Sequence, residues 1–284
     1  MIQWLQFPQC SVVSTFVECY WLIEKGEQAQ GVQFPKLNPD PSGHLIMSPA
    51  DQPYSYNFGG NIECGVGSHI LFPHLQSLQL DHSCSFIHLG IKFKVGAFYA
   101  IKIPGFGHPT LDQVAAIDLQ ALLVMSELEV IDLLSLARAS NTLCRDKLDS
   151  VLARWLTQFH QDRYSELTSK ALKVINIEPI ARLGEQLHCS QRTLERAFSK
   201  TTGFTLKQCQ SMNRLEAMLE YLYSRNKEEI DWAEVACRFG FSDQPHLIRY
   251  LKSQLGFTPA KYATDRGLTI DAYGGISNYL HESN

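Results

Sequence analysis

The sequence contains no CxxC pair. Its eight cysteines stand at 10, 19, 64, 84, 144, 189, 209 and 237, never within three residues of one another. That spacing excludes a zinc ribbon and a dithiol redox motif, and scattered singletons read as reduced, half-buried small hydrophobes. A thiol sensor through Cys64 or Cys84 stays open, although no neighbour in the sequence marks either thiol as activated. No apolar run approaches the ~20 residues that a membrane helix needs. The opening Met1-Ile2-Gln3-Trp4 has neither the basic start nor the apolar stretch of a secretory signal, so the expected location is the cytoplasm. GxSxG, P-loop and dinucleotide glycine motifs are missing. The histidines His44, His69, His74, His82, His88 and His108 include no HxH pair, the clustered donor set that a catalytic metal would want. The expectation is a chain that is not an enzyme, with no catalytic residues, no metal and no cofactor.

Charge is unevenly divided. Residues 1–165 carry 10 basic and 15 acidic side chains, whereas residues 166–266 carry 15 basic and 12 acidic ones. The formal net charge of −4 therefore hides a basic carboxyl-terminal segment, whose sign suits a nucleic-acid partner. The remaining tail adds two acids and no base.

The pattern divides the chain into four segments. Residues 1–117 read as β-rich, with candidate strands at Thr15–Glu24, His44–Met47, His69–Phe72 and Phe86–Phe93. Turn signals such as Phe58-Gly59-Gly60-Asn61 separate them, which suggests a small barrel or sandwich. Residues 118–163 form a helical connector. Within it Leu148, Val151, Leu152, Trp155, Leu156 and Phe159 make one apolar stripe. That stripe serves equally well for packing onto the amino-terminal domain or for a homodimer contact. Residues 164–266 are helical with short breaks, and residues 267–284 are a tail.

The helical segment contains a duplication. Leu194-Glu195-Arg196-Ala197-Phe198, followed four residues later by Gly203-Phe204-Thr205, is answered by Leu247-Ile248-Arg249-Tyr250-Leu251 and Gly256-Phe257-Thr258, at a constant offset of 53. Agreement this long implies one unit built twice. In the second unit Ala236 lets a following helix cross closely, Gly240 ends the first helix in a left-handed turn, and Ser242 or Asp243 caps the next. In the first, Gly184 and His188 hold those positions and Ser190 is the cap; His188 must then adopt a left-handed conformation or alter the turn. Each cap opens a helix with a polar outer face: Gln191, Arg192, Glu195 and Arg196 in one, Gln244, His246 and Arg249 in the other. Arginine and glutamine there suit major-groove readout.

Residues ~168–263 resemble the AraC/XylS-family DNA-binding domain, most specifically in Gly240-Phe241-Ser242-Asp243-Gln244-Pro245-His246-Leu247-Ile248-Arg249 and the closing Gly256-Phe257-Thr258-Pro259-Ala260-Lys261-Tyr262. The resemblance implies two helix-turn-helix units joined by a long helix, about Leu206–Tyr223, with double-stranded DNA and RNA polymerase as partners and regulation of transcription, as an activator or a repressor, as the output. Its base-reading positions fall on Arg192, Glu195, Arg196, Gln244, Pro245, His246 and Arg249, with Gln191, Lys200 and Lys252 beside them. Leu206, Asn213 and Leu251 depart from the family's usual proline, arginine and phenylalanine; Arg214 is the replacement expected for the phosphate contact that Asn213 lacks. Residues 1–117 are similar, through Cys19-Tyr20-Trp21, Pro41-Ser42-Gly43-His44-Leu45-Ile46 and Leu89-Gly90-Ile91-Lys92-Phe93-Lys94-Val95-Gly96-Ala97, to the cupin-like sensor domain of such regulators. The expected fold class is therefore α+β: a small cupin-like barrel with flanking helices, then an all-α domain. The expected function is a DNA-binding transcription regulator responsive to a small-molecule effector. Two alternatives remain: an amino-terminal domain that only dimerises or meets a protein, and a cupin-type enzyme fused to helices.

Overall fold

The computed structural model describes residues 2–27, 32–226 and 230–270. The part of the expected tail from 271 onward lies outside the described residues. Ten strands and their helices follow in chain order: β1 (Ile2–Gln6), α1 (Ser11–Phe16), β2 (Val17–Lys25), β3 (Lys36–Leu37), β4 (His44–Met47), β5 (Pro53–Phe58), β6 (Asn61–Val66), β7 (His69–Leu71), β8 (Leu78–Leu80), β9 (Phe86–Phe93), α2 (Ala97–Ile101) and β10 (Val114–Ala116). Helices α3 (Leu119–Leu123), α4 (Glu127–Ala139) and α5 (Asn141–Leu156) come next. The carboxyl-terminal helices are α6 (Arg163–Val174), α7 (Leu183–Gln186), α8 (Gln191–Thr202), α9 (Leu206–Tyr223), α10 (Trp232–Arg238), α11 (Gln244–Leu255) and α12 (Pro259–Asp265). None of the described helices is long and apolar enough to cross a membrane.

The strands make two antiparallel sheets, ordered β1-β2-β9-β4-β7-β10 and β3-β8-β5-β6. Of the small barrel or sandwich expected, the described strands give two sheets, and no barrel is closed. Where the edges β10 and β6 approach, the Val114 N–H donates to the Glu63 carboxylate at 2.6 Å, so a side chain stands where a closing ladder would run. Strand β9 shows how one strand serves two layers. Ile87, Leu89, Ile91 and Phe93 face a large core shared with α1, α3, α4 and α5. By the period-2 alternation of a strand, Phe86, His88, Gly90 and Lys92 face the other way.

Helix α5 closes the first core. Leu148, Val151, Leu152, Trp155 and Leu156 are all buried, and Phe159 packs partly against them. Asp149 on the same helix accepts from the Gln9 and Cys10 N–H groups and from the Tyr20 hydroxyl at 2.6–2.9 Å. Of the two uses that the periodicity left open, packing onto the amino-terminal domain is the one that occupies the apolar stripe within this chain. A stripe this apolar is more favourable against a core than exposed to water. Residues Thr15 and Phe16, expected to begin a strand, end helix α1 instead.

The helical domain has two small cores. Leu183, Leu194, Phe198 and Phe204 build the first; Val235, Leu247, Leu251 and Tyr262 build the second. Helix α9 belongs to both, giving Leu206, Cys209 and Met212 to the first and Leu215, Met218, Leu219 and Leu222 to the second. A single continuous helix therefore fixes the spacing of the two units.

Candidate nucleic-acid interface

Each unit is a helix, a tight turn and a second helix. In the first, the Cys189 N–H donates to the Gly184 carbonyl at 2.9 Å and Ser190 caps α8 by accepting from the Thr193 N–H. In the second, the Phe241 N–H donates to the Ala236 carbonyl at 2.8 Å and Asp243 caps α11 by accepting from the His246 N–H at 2.7 Å. Because the cap is Asp243, not Ser242, the second turn is one residue longer. His188 does adopt the left-handed conformation, with φ 54°, beside φ 71° at Gly240. Gly184 is required by close approach: a Cβ there would lie 2.9 Å from the Gln191 nitrogen.

The expected reading residues stand on the outer faces of α8 and α11. Arg192, Glu195, Arg196 and Lys200 are exposed on α8, as are Gln244, Pro245, Arg249 and Lys252 on α11, with His246 half-buried. Several of the expected contacts are already engaged within the chain. Gln191 accepts from the Gly184 N–H at 3.3 Å and donates to Glu195 at 2.9 Å, bracing the turn. His246 lies within 3.3 Å of the Ser242 hydroxyl. Arg214 does not project as a free phosphate contact: its guanidinium lies over the Phe241 and Tyr250 rings, 4.5 and 4.9 Å from their centroids, with its Nε buried. Tyr164, which the sequence did not single out, accepts from Arg196 and Arg163 at 3.2 and 2.9 Å and carries Lys200 over its ring. Hydrogen bonds from Arg163 and Arg196 bring its phenol down to about 8.

The sheet domain grips the carboxyl-terminal ends of both exposed helices. His108 Nε2 lies 3.1 and 3.0 Å from the Lys200 and Thr201 carbonyls at the end of α8. Ser77 donates to the Gln254 carbonyl at 2.6 Å and Lys36 to the Leu255 carbonyl at 3.3 Å, both at the end of α11. The last carbonyls of a helix have no partner inside it, so donors there fasten it well.

Between these grips, on the face of β9 turned away from the first core, lies a cleft of about 160 Å³ closed by α9. Its polar lining includes Asp40, His44, His88, Lys92 and Glu216, and Trp21 lines its wall. Gly90 makes room for that wall, since a Cβ would fall 1.9 Å from the Trp21 ring. The Lys92 ammonium is 3.4 Å from Asp40 and 3.9 Å from both Glu18 and Glu216. Burial would raise the Asp40 carboxyl, but Lys92 and His44 beside it hold it well below the usual carboxylate range. Burial would likewise lower Lys92, and the surrounding carboxylates outweigh it, keeping the amine charged. Glu216 is pulled down by Lys92, yet burial and the neighbouring carboxylates leave it raised. His44 Nδ1 and His88 Nε2 are buried without a partner. The signal for this cleft in the sequence was the polar alternation His88, Gly90, Lys92 along an apolar strand.

The histidines that looked dispersed are partly gathered: the His88 ring lies 5.8 Å from His69 and 6.1 Å from His82. His69 spends both nitrogens, one toward the Gly67 carbonyl and one toward the Tyr56 hydroxyl. Among the described residues no group of three His, Cys, Asp or Glu could hold a metal ion. Cys64 and Cys84 are exposed.

Residues 183–265 match the family model described as a helix-turn-helix domain. The chain is similar in structure to ToxT from Vibrio cholerae, with 10% identity over 88% of this chain and 97% of that one at a TM-score of 0.46. The unsaturated-fatty-acid-bound form of ToxT from the same organism superposes over 86% of this chain and 98% of that one, with 11% identity and a TM-score of 0.44. The AraC-like transcriptional activator CuxR shares 10% identity over 75% and 85% of the two chains, at a TM-score of 0.22. No curated protein sequence matches the chain.

Proposed function

We propose that residues 183–265, which match a helix-turn-helix family model, form a DNA-binding domain of the AraC type, and that the chain is a transcription regulator that reads and responds as follows. Helices α8 and α11 enter successive major grooves on one face of the duplex. Arg192, Glu195 and Arg196 read bases from the first, and Gln244, His246 and Arg249 from the second. Pro245 offers apolar contact only, and Lys200 and Lys252 meet phosphates. The observation that carries this reading is the pair of outward arginines, Arg196 and Arg249, at matched positions on two helices whose cores share α9. Salt dependence of DNA binding tests it: the logarithm of the binding constant should fall linearly with that of salt concentration, in proportion to the phosphates neutralised. Mapping of bound sites across the genome then supplies the target sequence.

The sheet domain is the sensor, and its effector site is the cleft at Lys92. What supports this is its position, because the same cleft is walled by β4, β9 and the helix that spaces the two reading units. A ligand there changes what α9 rests on. A ligand-induced thermal shift of the full chain checks the response.

A further inference from the structure

We propose that the cleft takes a small molecule with a single-ring apolar body and a cationic head, an aralkyl amine by chemistry, whose ammonium meets Glu216 and the open nitrogen of His44. The inference rests on the reading of this cleft as the effector site and adds the class of ligand.

Size sets the body. A dry cavity of about 150 Å³ holds one benzene ring, and this cleft is about 160 Å³. Its walls include Trp21, Ile46, Leu71 and Leu219, side chains that gain by covering an apolar ring. Charge sets the head. Three carboxylates, Asp40, Glu18 and Glu216, surround the single ammonium of Lys92 within 3.9 Å. Asp40 is the nearest of them, and Lys92 cannot neutralise the other two as well. The nearby imidazole of His88 adds no positive charge, because burial beside His69 and His82 keeps it neutral. A carboxylate entering here would add a fourth negative group around one cation, whereas an ammonium would restore balance.

Hydrogen bonding points the same way. His44 is only 9% exposed, and its Nε2 lies 3.2 Å from Asp40. Placing the proton on that nitrogen leaves Nδ1 as a buried, unpartnered lone pair on a residue that lines the cleft. An ammonium has three donors and no acceptor, which is what a lone pair and a spare carboxylate require. Glu216 is also the member of the cluster that stands on α9. A bound amine therefore competes with Lys92 for Glu216 and exchanges a contact between the sheet domain and the spacing helix for one with the ligand.

The test is calorimetric titration of the full chain with 2-phenylethylamine, 3-phenylpropionate and 2-phenylethanol, probes that share one ring and differ in head group. The amine should bind about tenfold more tightly than either of the others, as expected for one charge-assisted hydrogen bond. Glu216→Gln should remove about that factor for the amine alone, and glutamine keeps the shape of the side chain, so the variant is compatible with folding. Equal or tighter binding of the carboxylate overturns the proposal, as does an amine that binds no better than the alcohol or not at all. DNA binding measured on the same samples separates the two readings. A protein that binds DNA but prefers the carboxylate keeps its function as a regulator and loses only this ligand class.

Discussion

The Arg196 guanidinium donates to the Tyr164 hydroxyl at 3.2 Å, tying the exposed face of α8 to the start of α6. An arginine held this way loses less freedom when it meets a base, so it is the better prepared of the two matched arginines; Arg249 is exposed and has no such tether among the described contacts. Arg196→Ala should cost about 1–3 kcal/mol on a specific site and relax preference at one or two base pairs. Arg249→Ala should cost less. Base-by-base competition on both variants decides the ranking, and a wild-type profile for Arg196→Ala would reverse it.

The same tyrosine makes DNA binding sensitive to alkali. Its phenol titrates near 8, below its ordinary value of 10, because Arg163 and Arg196 hydrogen-bond to it. Below pH 8 it is neutral; above, it is an anion on the face offered to phosphates. Affinity should therefore fall as pH rises from 7 to 9, and Tyr164→Phe should flatten that profile. A slope that persists unchanged in Tyr164→Phe assigns the dependence to another group.

The grips on the helix ends predict an effect on spacing. His108 and Ser77 each hold the last carbonyls of one reading helix. Removing both, in His108→Ala/Ser77→Ala, should leave contacts with each half-site intact while relaxing the required distance between them. Binding to sites lengthened by one base pair, compared with the native spacing, measures this. Unchanged discrimination in the double variant would show that α9 alone sets the spacing.

The reading units were legible in the sequence because they depend on local rules. Caps at Ser190 and Asp243, the glycines at 203 and 256 and the core leucines recur at nearly fixed intervals, and each acts within one or two turns of chain. The cleft was not legible, because Asp40, Lys92 and Glu216 meet only when β4, β9 and α9 come together. The strand Phe86–Phe93 was read with its exact bounds, since both faces are buried and its run is continuously apolar apart from His88, Gly90 and Lys92. Helix α1 was misread at Thr15 and Phe16. Its β-branched residues favour a strand, and the anchor that overrides them is Asp149, more than a hundred residues away. The stripe on α5 was read correctly as apolar, but periodicity alone does not say which surface covers it.

Acid should unfold the sheet domain through its buried histidines. Burial lowers His69 to about 4, and burial, then Lys25, lowers His82 to about 4, against 6.5 for the free side chain. Above pH 6.5 both are neutral whether folded or not, and they leave stability unchanged. As pH falls from 6.5 toward 4, the unfolded chain takes up protons that the folded chain refuses, so stability drops by up to ~1.4 kcal/mol per pH unit for each imidazole. The denaturant midpoint should decline over that window, and His82→Phe should shallow the decline. A midpoint that is flat between pH 6.5 and 5 would sink the assignment.

His188 holds the left-handed position of the first turn at φ 54°, where the second turn has Gly240. An L-residue there is strained by roughly 1–2 kcal/mol, while glycine avoids the strain and gives back about 0.5–1 kcal/mol through its freer unfolded chain. The imidazole is exposed, so removing it uncovers no core. His188→Gly should therefore stabilise the first unit by up to about 1 kcal/mol. His188→Ala serves as the control, because alanine loses the ring but keeps the strain, and it should match the parent. Hydrogen exchange at the amides of the first turns of α8 reads the difference locally, away from the end that His108 holds. The gain should also appear in DNA binding, since a relaxed turn fixes the angle at which Arg192 and Arg196 are offered. Equal protection in the glycine and alanine variants would mean that the turn is not strained, and that the histidine is held there by contacts repaying its conformation.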